Sequence, residues 1–355
     1  MTTALRARVA AYGGSSRIVG VDLARGLAVL GMYGAHVGLT KDFDWAQPGT
    51  WLDVVNGRSS ILFALLAGVS IAIISGGQSG LEGIELKRAR VRILTRAIVI
   101  FVLGAYLASL DTGIAVILPV YAVLFVATLP FLRLPSRWLF AIAAILAVLM
   151  PLIVFVLAPG SPEDDLASYL FVTGPYPALI WIAFFLVGLA IGRLDLRATS
   201  TRLRILTAGI GLAVLGYGAS ALVPSGSVGD VLPADARDLS TVEAHSGTPF
   251  EVVGSTGFAL AILAVCLLVP RAVRWLLYPL AAIGAMALTA YTVHVLIVDR
   301  IGSPAFAQPD NGLFLGFVAG ALLVCAAWTL LLGRGPLERA LTGLSRVAAQ
   351  ALPER

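Results

Sequence analysis

Charge is what this sequence has least of. Only 13% of its 355 residues are Asp, Glu, Lys or Arg, and 59% are hydrophobic. Soluble domains carry roughly 25% charged residues, so a mean hydropathy of +0.93 excludes that class and implies a polytopic membrane protein. Cysteine is scarce too, with two residues, Cys266 and Cys325, each inside a long apolar run. That excludes a disulfide framework, and no CxxC or Cys/His zinc spacing points to a metal. Walker, Rossmann-glycine and G-x-S-x-G patterns are missing from any usable context. The net charge of +5 is no nucleic-acid signature, because its placement along the chain explains it better. Histidine occurs three times, as His36, His245 and His294.

What the sequence does have begins at Arg17. The segment Arg17-Ile-Val-Gly-Val-Asp22-Leu-Ala-Arg25 continues apolar for a helix's length and closes on Tyr33-Gly-Ala-His36. Arg25 and His36 are eleven steps apart, which at about 100° per residue returns to within roughly 20° of one helical face, about 16 Å further along. Asp22, Arg25, Val29, Tyr33 and His36 thus make one stripe. Ionisable groups at membrane depth are costly and normally face a protein interior or a wet cavity. Arg6, Arg8 and Arg17 ahead of an apolar run resemble a signal peptide. The run is long and lacks an A-x-A site, so it reads as retained.

Hydropathy predicts an all-α chain of about ten transmembrane helices, near 19–39, 58–76, 95–110, 113–132, 138–158, 177–192, 205–223, 252–269, 276–298 and 312–332. An acidic loop (Glu163-Asp164-Asp165) and a long polar stretch over 225–250 (Asp230, Asp235, Asp238, Glu243, His245) interrupt them. With the N-terminus and alternate loops placed in the cytoplasm, all but Lys41, Arg58, Arg237 and Arg300 of the 25 basic residues fall inside. Both termini are then cytoplasmic. The chain divides into an N-terminal segment (1–17), a transmembrane unit (18–333) and a basic, weakly amphipathic tail (334–355). His36, Arg58, His245 and His294 belong to the outer half, Asp22 and Arg25 to the inner face. Alanine-, glycine- and arginine-rich usage suggests a bacterial source, hence the bacterial inner membrane.

Val21-Asp22-Leu-Ala-Arg25-Gly26-Leu-Ala resembles the opening of the heparan-alpha-glucosaminide N-acetyltransferase-like family. The Arg25-x10-His36 spacing is similar to the signature of the wider group of transmembrane acyltransferases acting on envelope glycans. Gly57-Arg58-Ser-Ser through Gly68-Val-Ser70, Thr173-Gly-Pro-Tyr176-Pro177 and Ala287-Leu-Thr-Ala-Tyr291-Thr-Val-His294 resemble later blocks. The resemblance implies transfer of an acetyl group from cytoplasmic acetyl-CoA, or another acyl-CoA, to an amine or hydroxyl of an extracytoplasmic glycan. The lysosomal-type enzymes carry asparagine where His36 falls and a histidine in the following loop. The loop 40–57 here has none, which moves the base to His36.

Acyl transfer from a thioester needs a base for the acceptor's proton and donors for the developing oxyanion. Neutral imidazole suits the base, and His36 is assigned to it, with His294 as a second catalytic histidine near Tyr291. Asp22 and Arg25 are assigned to a CoA phosphate at the cytoplasmic mouth, extended by Arg88 and Arg92 of the Lys87–Arg96 cluster. The competing reading is a positive-inside anchor. Arg58, Asp53 and His245 are assigned to the acceptor. Against this, Arg58 pairs with Asp53 or Asp44, His245 is a solvated loop residue, and His294 is a lipid-facing interfacial one. Tyr176 and Trp181 are read as interfacial aromatic-belt residues. Partners are acyl-CoA, the glycan, membrane lipids and a second copy in a homodimer; nucleic acid is not among them. The main alternative is a transporter or flippase, which often carries broken helices in repeated halves.

Overall fold

The computed structural model describes residues 17–41, 43–162, 165–222, 239–302 and 309–352. Arg6, Arg8, Glu163, Asp164, Asp230, Asp235, Arg237 and Asp238 lie outside the described residues. Among those described, the regular elements are all helical and no strand occurs. Numbering α-helices of eight residues or more, they are α1 (Val19–Val37), α2 (Arg58–Ile74), α3 (Gly83–Ala108), α4 (Leu118–Ala127), α5 (Ser136–Leu157) and α6 (Ala178–Gly192). The rest are α7 (Thr199–Leu222), α8 (Pro249–Leu268), α9 (Tyr278–Ala285), α10 (Ala287–Ile301), α11 (Asn311–Leu331) and α12 (Pro336–Gln350).

Six helices are long and apolar enough to cross a membrane, or eight if each of two bent pairs is one span. That corrects the expected ten. All ten expected segments contain helix, and two fall short for identifiable reasons. The fourth is helical only over the ten residues of α4. The first, α1, is long enough, but Asp22, Arg25 and His36 dilute its apolarity, and it is buried along most of its length. A lipid-facing helix could not carry that stripe; an enclosed one can.

The bent pairs border the same region. Residues 166–173 join α6 at 57°, where Pro175 and Pro177 withhold the N–H groups that would continue the helix. α9 meets α10 at 84°, around Met286. The first-turn N–H groups of a new helix have no partner within it. Here the carboxylate of Glu338 on α12 accepts from the Thr289 N–H (3.0 Å) and the Thr289 hydroxyl (2.6 Å).

Burial sorts the helices into an inner set and a rim. In α8 and in the segment ending with α2, 67% of the apolar window is inside the protein, against 6% in α11. Leu315, Leu323, Val324 and Leu331 of α11 stay exposed, as side chains facing lipid would. Close approach needs missing side chains. A Cβ at Gly188 of α6 would collide with the Leu65 carbonyl of α2, and one at Gly284 of α9 with the Asp22 carbonyl of α1. α12 is more sharply amphipathic than its sequence suggested. Leu341, Ser345 and Ala349, at steps of four, are buried while Leu344 and Val347 are exposed, and the helix lies along α3.

Candidate functional site

At the N-terminal end of α1, buried Asp22 takes an ion pair from Arg17 and a longer one (3.4 Å) from Arg25. Arg25 also donates to the Ser70 hydroxyl of α2 (3.0 Å) and the Gly284 carbonyl of α9 (3.2 Å). It ties three helices together. Two turns further along the stripe, the Tyr33 hydroxyl donates to the Ala290 carbonyl of α10 at 3.0 Å.

The stripe ends in a histidine pair. His36 Nδ1 lies 2.9 Å from His294 Nε2, and the two rings stack at 5.1 Å between centroids and 11° between planes. His294 is fully buried, packed against Tyr33, Tyr291 and Phe317. Its Nδ1 sits 2.7 Å from the Tyr291 carbonyl. A carbonyl can only accept, so Nδ1 of His294 carries the hydrogen. In the neutral ring Nε2 is then an acceptor, and His36 must donate to it from Nδ1. The remaining nitrogen of His36, Nε2, is left with its lone pair. Sequence spacing could place each histidine on a helix, but only the tertiary fold brings them into one chain of hydrogen bonds.

His36 opens on a cavity of about 160 Å³, walled by Asn56, Ser59, Ser60, Tyr176, His245 and Tyr291 among others. The Ser59 and Ser60 hydroxyls donate back to the Val55 and Gly57 carbonyls at 2.7 Å, a habit of serine in the first turn of a helix. The Tyr291 hydroxyl is buried facing the Ile117 backbone without completing a bond of good geometry. It is a free donor in the wall.

All three histidines of the chain therefore meet in one place. His245 is no solvated loop residue. Its ring stands edge-on to Tyr176 at 5.2 Å, and its Nδ1 is buried without a partner. Burial pushes this imidazole below its ordinary value of 6.5, an effect the nearby Pro175 backbone partly offsets, so it is neutral at pH 7. Its backbone is left-handed, with φ +64°. Tyr176 and Trp181 are 8% and 4% exposed and stack edge-on. The aromatic-belt expectation is overturned for both, because the proline-broken entry to α6 folds them inward.

Arg58 makes no ion pair with Asp53 or Asp44 among the described residues. It donates to the Tyr217 hydroxyl at 3.0 Å, which in turn meets Ser255 at 3.0 Å. Asp44 instead accepts from the Ala46 N–H and the Gln47 amide, and Asp53 is not among the cavity residues. On α3, Arg88 and Arg92 share Glu85, at 2.7 and 3.8 Å. One turn on, the Nε of Arg96 is buried without a partner, with Arg92, Arg334 and Arg346 as charged neighbours. Among the described residues no group of three His, Cys, Asp or Glu side chains is placed to hold a metal ion.

Sequence reasoning passed over Glu251. Its carboxylate, 5% exposed, accepts from the His245 and Gly247 N–H groups at 3.0 and 2.6 Å and from the Ser246 hydroxyl at 3.3 Å. The signal was present as Thr248-x-x-Glu251, a capping-box pattern at the start of an apolar run. The Thr248 hydroxyl does accept from the Glu251 N–H.

Compared with known families, residues 113–333 match a family model described as an acyltransferase domain, acyltransferase-3. Tyr176, His245, Tyr291 and His294 lie within the matched stretch, and the stripe of α1 precedes it. No curated protein matches the chain.

Proposed function

The chain belongs to the acyltransferase-3 family, and from that premise we propose that it moves an acetyl or similarly short acyl group from cytoplasmic acyl-CoA to a hydroxyl or amine of an extracytoplasmic glycan. His36 acts as the general base, and a bacterial inner membrane is the setting. The observation carrying this reading is the hydrogen-bond chain Tyr291 carbonyl–His294–His36, which aims the lone pair of His36 Nε2 at a cavity. The likeness to heparan-alpha-glucosaminide N-acetyltransferases supports the acceptor half.

In this reaction the acceptor's hydroxyl or amine gives its proton to His36 Nε2 as its heteroatom attacks the thioester carbonyl. The C–S bond breaks as the tetrahedral intermediate collapses, and the departing thiolate takes the proton back from the imidazolium. Ester or amide and free CoA result, with the base restored. His294 is the positioning residue. It fixes the tautomer of His36 as the carboxylate of a catalytic triad fixes its histidine. The Tyr291 hydroxyl supplies the donor for the oxyanion.

On the cytoplasmic side, Arg88, Arg92 and Arg96 meet the CoA phosphates, with Asp22 and Arg25 fixing the inner end of the stripe. Arg58 and His245 line the acceptor's approach, with Asp53 near the start of α2.

The transporter reading has one observation in its favour, the two broken helices, which are common around transporter sites. Here both breaks deliver residues to the histidine cavity, Tyr176 from one and Tyr291 from the other, so they equally serve a site for chemistry. The test is transfer of labelled acetyl from acetyl-CoA by purified protein in lipid vesicles, beside acetyl-CoA binding by calorimetry. His36→Ala should bind the donor as wild type does and transfer nothing. Full transfer by that variant removes the base, and a wild type that binds no acyl-CoA of any length favours the transporter.

A further inference from the structure

Between Leu331, where α11 ends, and Pro336, where α12 begins, the chain makes one tight turn. Gly333 takes it at φ +80°. The Trp328 indole N–H donates to the Arg334 carbonyl at 3.2 Å, and Nη2 of Arg339 donates to the Leu332 and Arg334 carbonyls at 2.7 and 3.1 Å. Tryptophan favours the boundary between hydrocarbon and water. A helix that starts one fixed turn beyond the end of a lipid-facing span starts at that boundary.

α12 has three faces. Leu341, Ser345 and Ala349 are buried where the helix lies along α3, and Glu338 beside them bonds Thr289 of α10. These anchors fix the roll of the helix, so the rest of its surface cannot turn inward. At 100° per residue, Arg339 and Arg346 fall within about 20° of each other on a second face. Both are exposed, and among the described residues neither makes an ion pair. Val347, Ala340 and Leu344 share about 60° of arc on a third face. Leu344 is 53% and Val347 68% exposed, too much apolar surface in one strip to be left to water.

An apolar strip next to unpaired cations, starting at the depth where a span emerges, is complementary to the headgroup boundary of an anionic leaflet. The strip also follows directly on the exposed Leu331 and Leu332 that end the lipid-facing α11. We propose that α12 is a docking surface for anionic phospholipid. Acyl chains cover Leu344 and Val347, while the headgroup phosphates sit on Arg346 and on the Nε and Nη1 groups that Arg339 leaves free. The arginine stems run along the helix to bring their charge to that level. This surface stands whether or not the histidine cavity performs acyl transfer.

The experiment has two arms, both on the full-length protein. In vesicles of mixed phosphatidylglycerol and phosphatidylcholine, a nitroxide is attached to Leu344→Cys, Val347→Cys or Gln350→Cys, with wild type, whose two cysteines are buried, as the labelling control. Labels at 344 and 347 should collide with oxygen more than with a water-soluble nickel chelate, and the label at 350 should do the reverse. All three favouring the chelate overturns the proposal. Labels at 344 and 347 shielded from both reagents and broadened by a neighbouring label overturn it in favour of a second copy of the chain. In the other arm, native mass spectrometry reads which lipid the protein retains from an equimolar mixture of the same two in detergent. Wild type should retain phosphatidylglycerol preferentially. Arg346→Gln, which breaks no bond among the described residues, should lower that preference about fivefold, and adding Arg339→Gln should lower it further. Equal retention of the two lipids by wild type, or a preference unchanged in Arg346→Gln and in the double variant, overturns the proposal.

Discussion

If His294 acts only through His36, their losses cannot multiply. Removing the His36 imidazole deletes the base, a loss on the order of 10²–10⁴ in kcat. Removing His294 leaves the base in place but strips the partner from a 2.9 Å hydrogen bond. An inward-facing donor left unsatisfied costs about 1–3 kcal/mol. At 1.36 kcal/mol per decade, spending that energy on an unfavourable ring flip or tautomer slows transfer by about 5- to 150-fold. His294→Ala should fall in that range, and the double variant should be no slower than His36→Ala alone. Residues acting as one unit show this non-additivity. Because His294 also fills a ring cluster with Tyr33 and Phe317, His294→Gln is the companion variant. It offers an amide oxygen to His36 and should lose less than about tenfold. The assay is initial-rate acetyl transfer on protein that is monodisperse and melts cooperatively. A His294→Ala variant at full speed, or a double variant slower by the product of the two single losses, refutes the coupling.

Arg25→Ala severs the bonds to Asp22, Ser70 and Gly284, at a cost of about 3 kcal/mol for a broken, largely enclosed pair. A lowered melting temperature in detergent should follow, and an unchanged one would mean the ties are idle. Gly284→Ala drives a methyl into the Asp22 carbonyl and should abolish recovery of monodisperse protein, where an exposed control such as Gly316→Ala should not. The depressed imidazole of His245 has a definite pH signature. Above pH 6.5 the ring is neutral whether the chain is folded or not, and stability is at its full value. As pH falls through 6.5 toward the lower folded value, the unfolded chain takes up the proton first and stability is lost. From pH 7.5 to 5 the melting temperature of wild type should therefore fall more steeply than that of His245→Gly; parallel curves would contradict it.

The helices were legible because hydropathy and arginine placement are local signals. So was the stripe of α1, since 100° per residue is a property of the helix alone. What the sequence could not show was partnership. Nothing local to His294 tells a lipid-facing imidazole from one stacked on His36 across 258 positions. Tyr176 and Trp181 looked like interfacial aromatics because they fall at the expected membrane–water boundary; the sense of the break at Pro175 and Pro177 turned them inward instead. Arg58 was matched to the nearest acids in sequence, whereas the fold offered the Tyr217 hydroxyl on α7. The span count erred where composition and role diverge. α1 is too polar for lipid because it is a wall of the site, and α4 is cut short between Gly113 and Pro130. Glu251 was within reach of capping rules, but its hold on His245 needed the left-handed turn, which few sequences announce.

Glu338 carries a last implication. Its carboxylate closes the open start of α10 from a helix that lies wholly beyond residue 333, where the family match ends. Thr289, which it grips, is two residues from the Tyr291 carbonyl that orients His294. Helix α12 works as a clasp on the wall of the histidine pair, so a chain shortened to its recognisable domain would leave that pair hinged at one end and unlatched at the other.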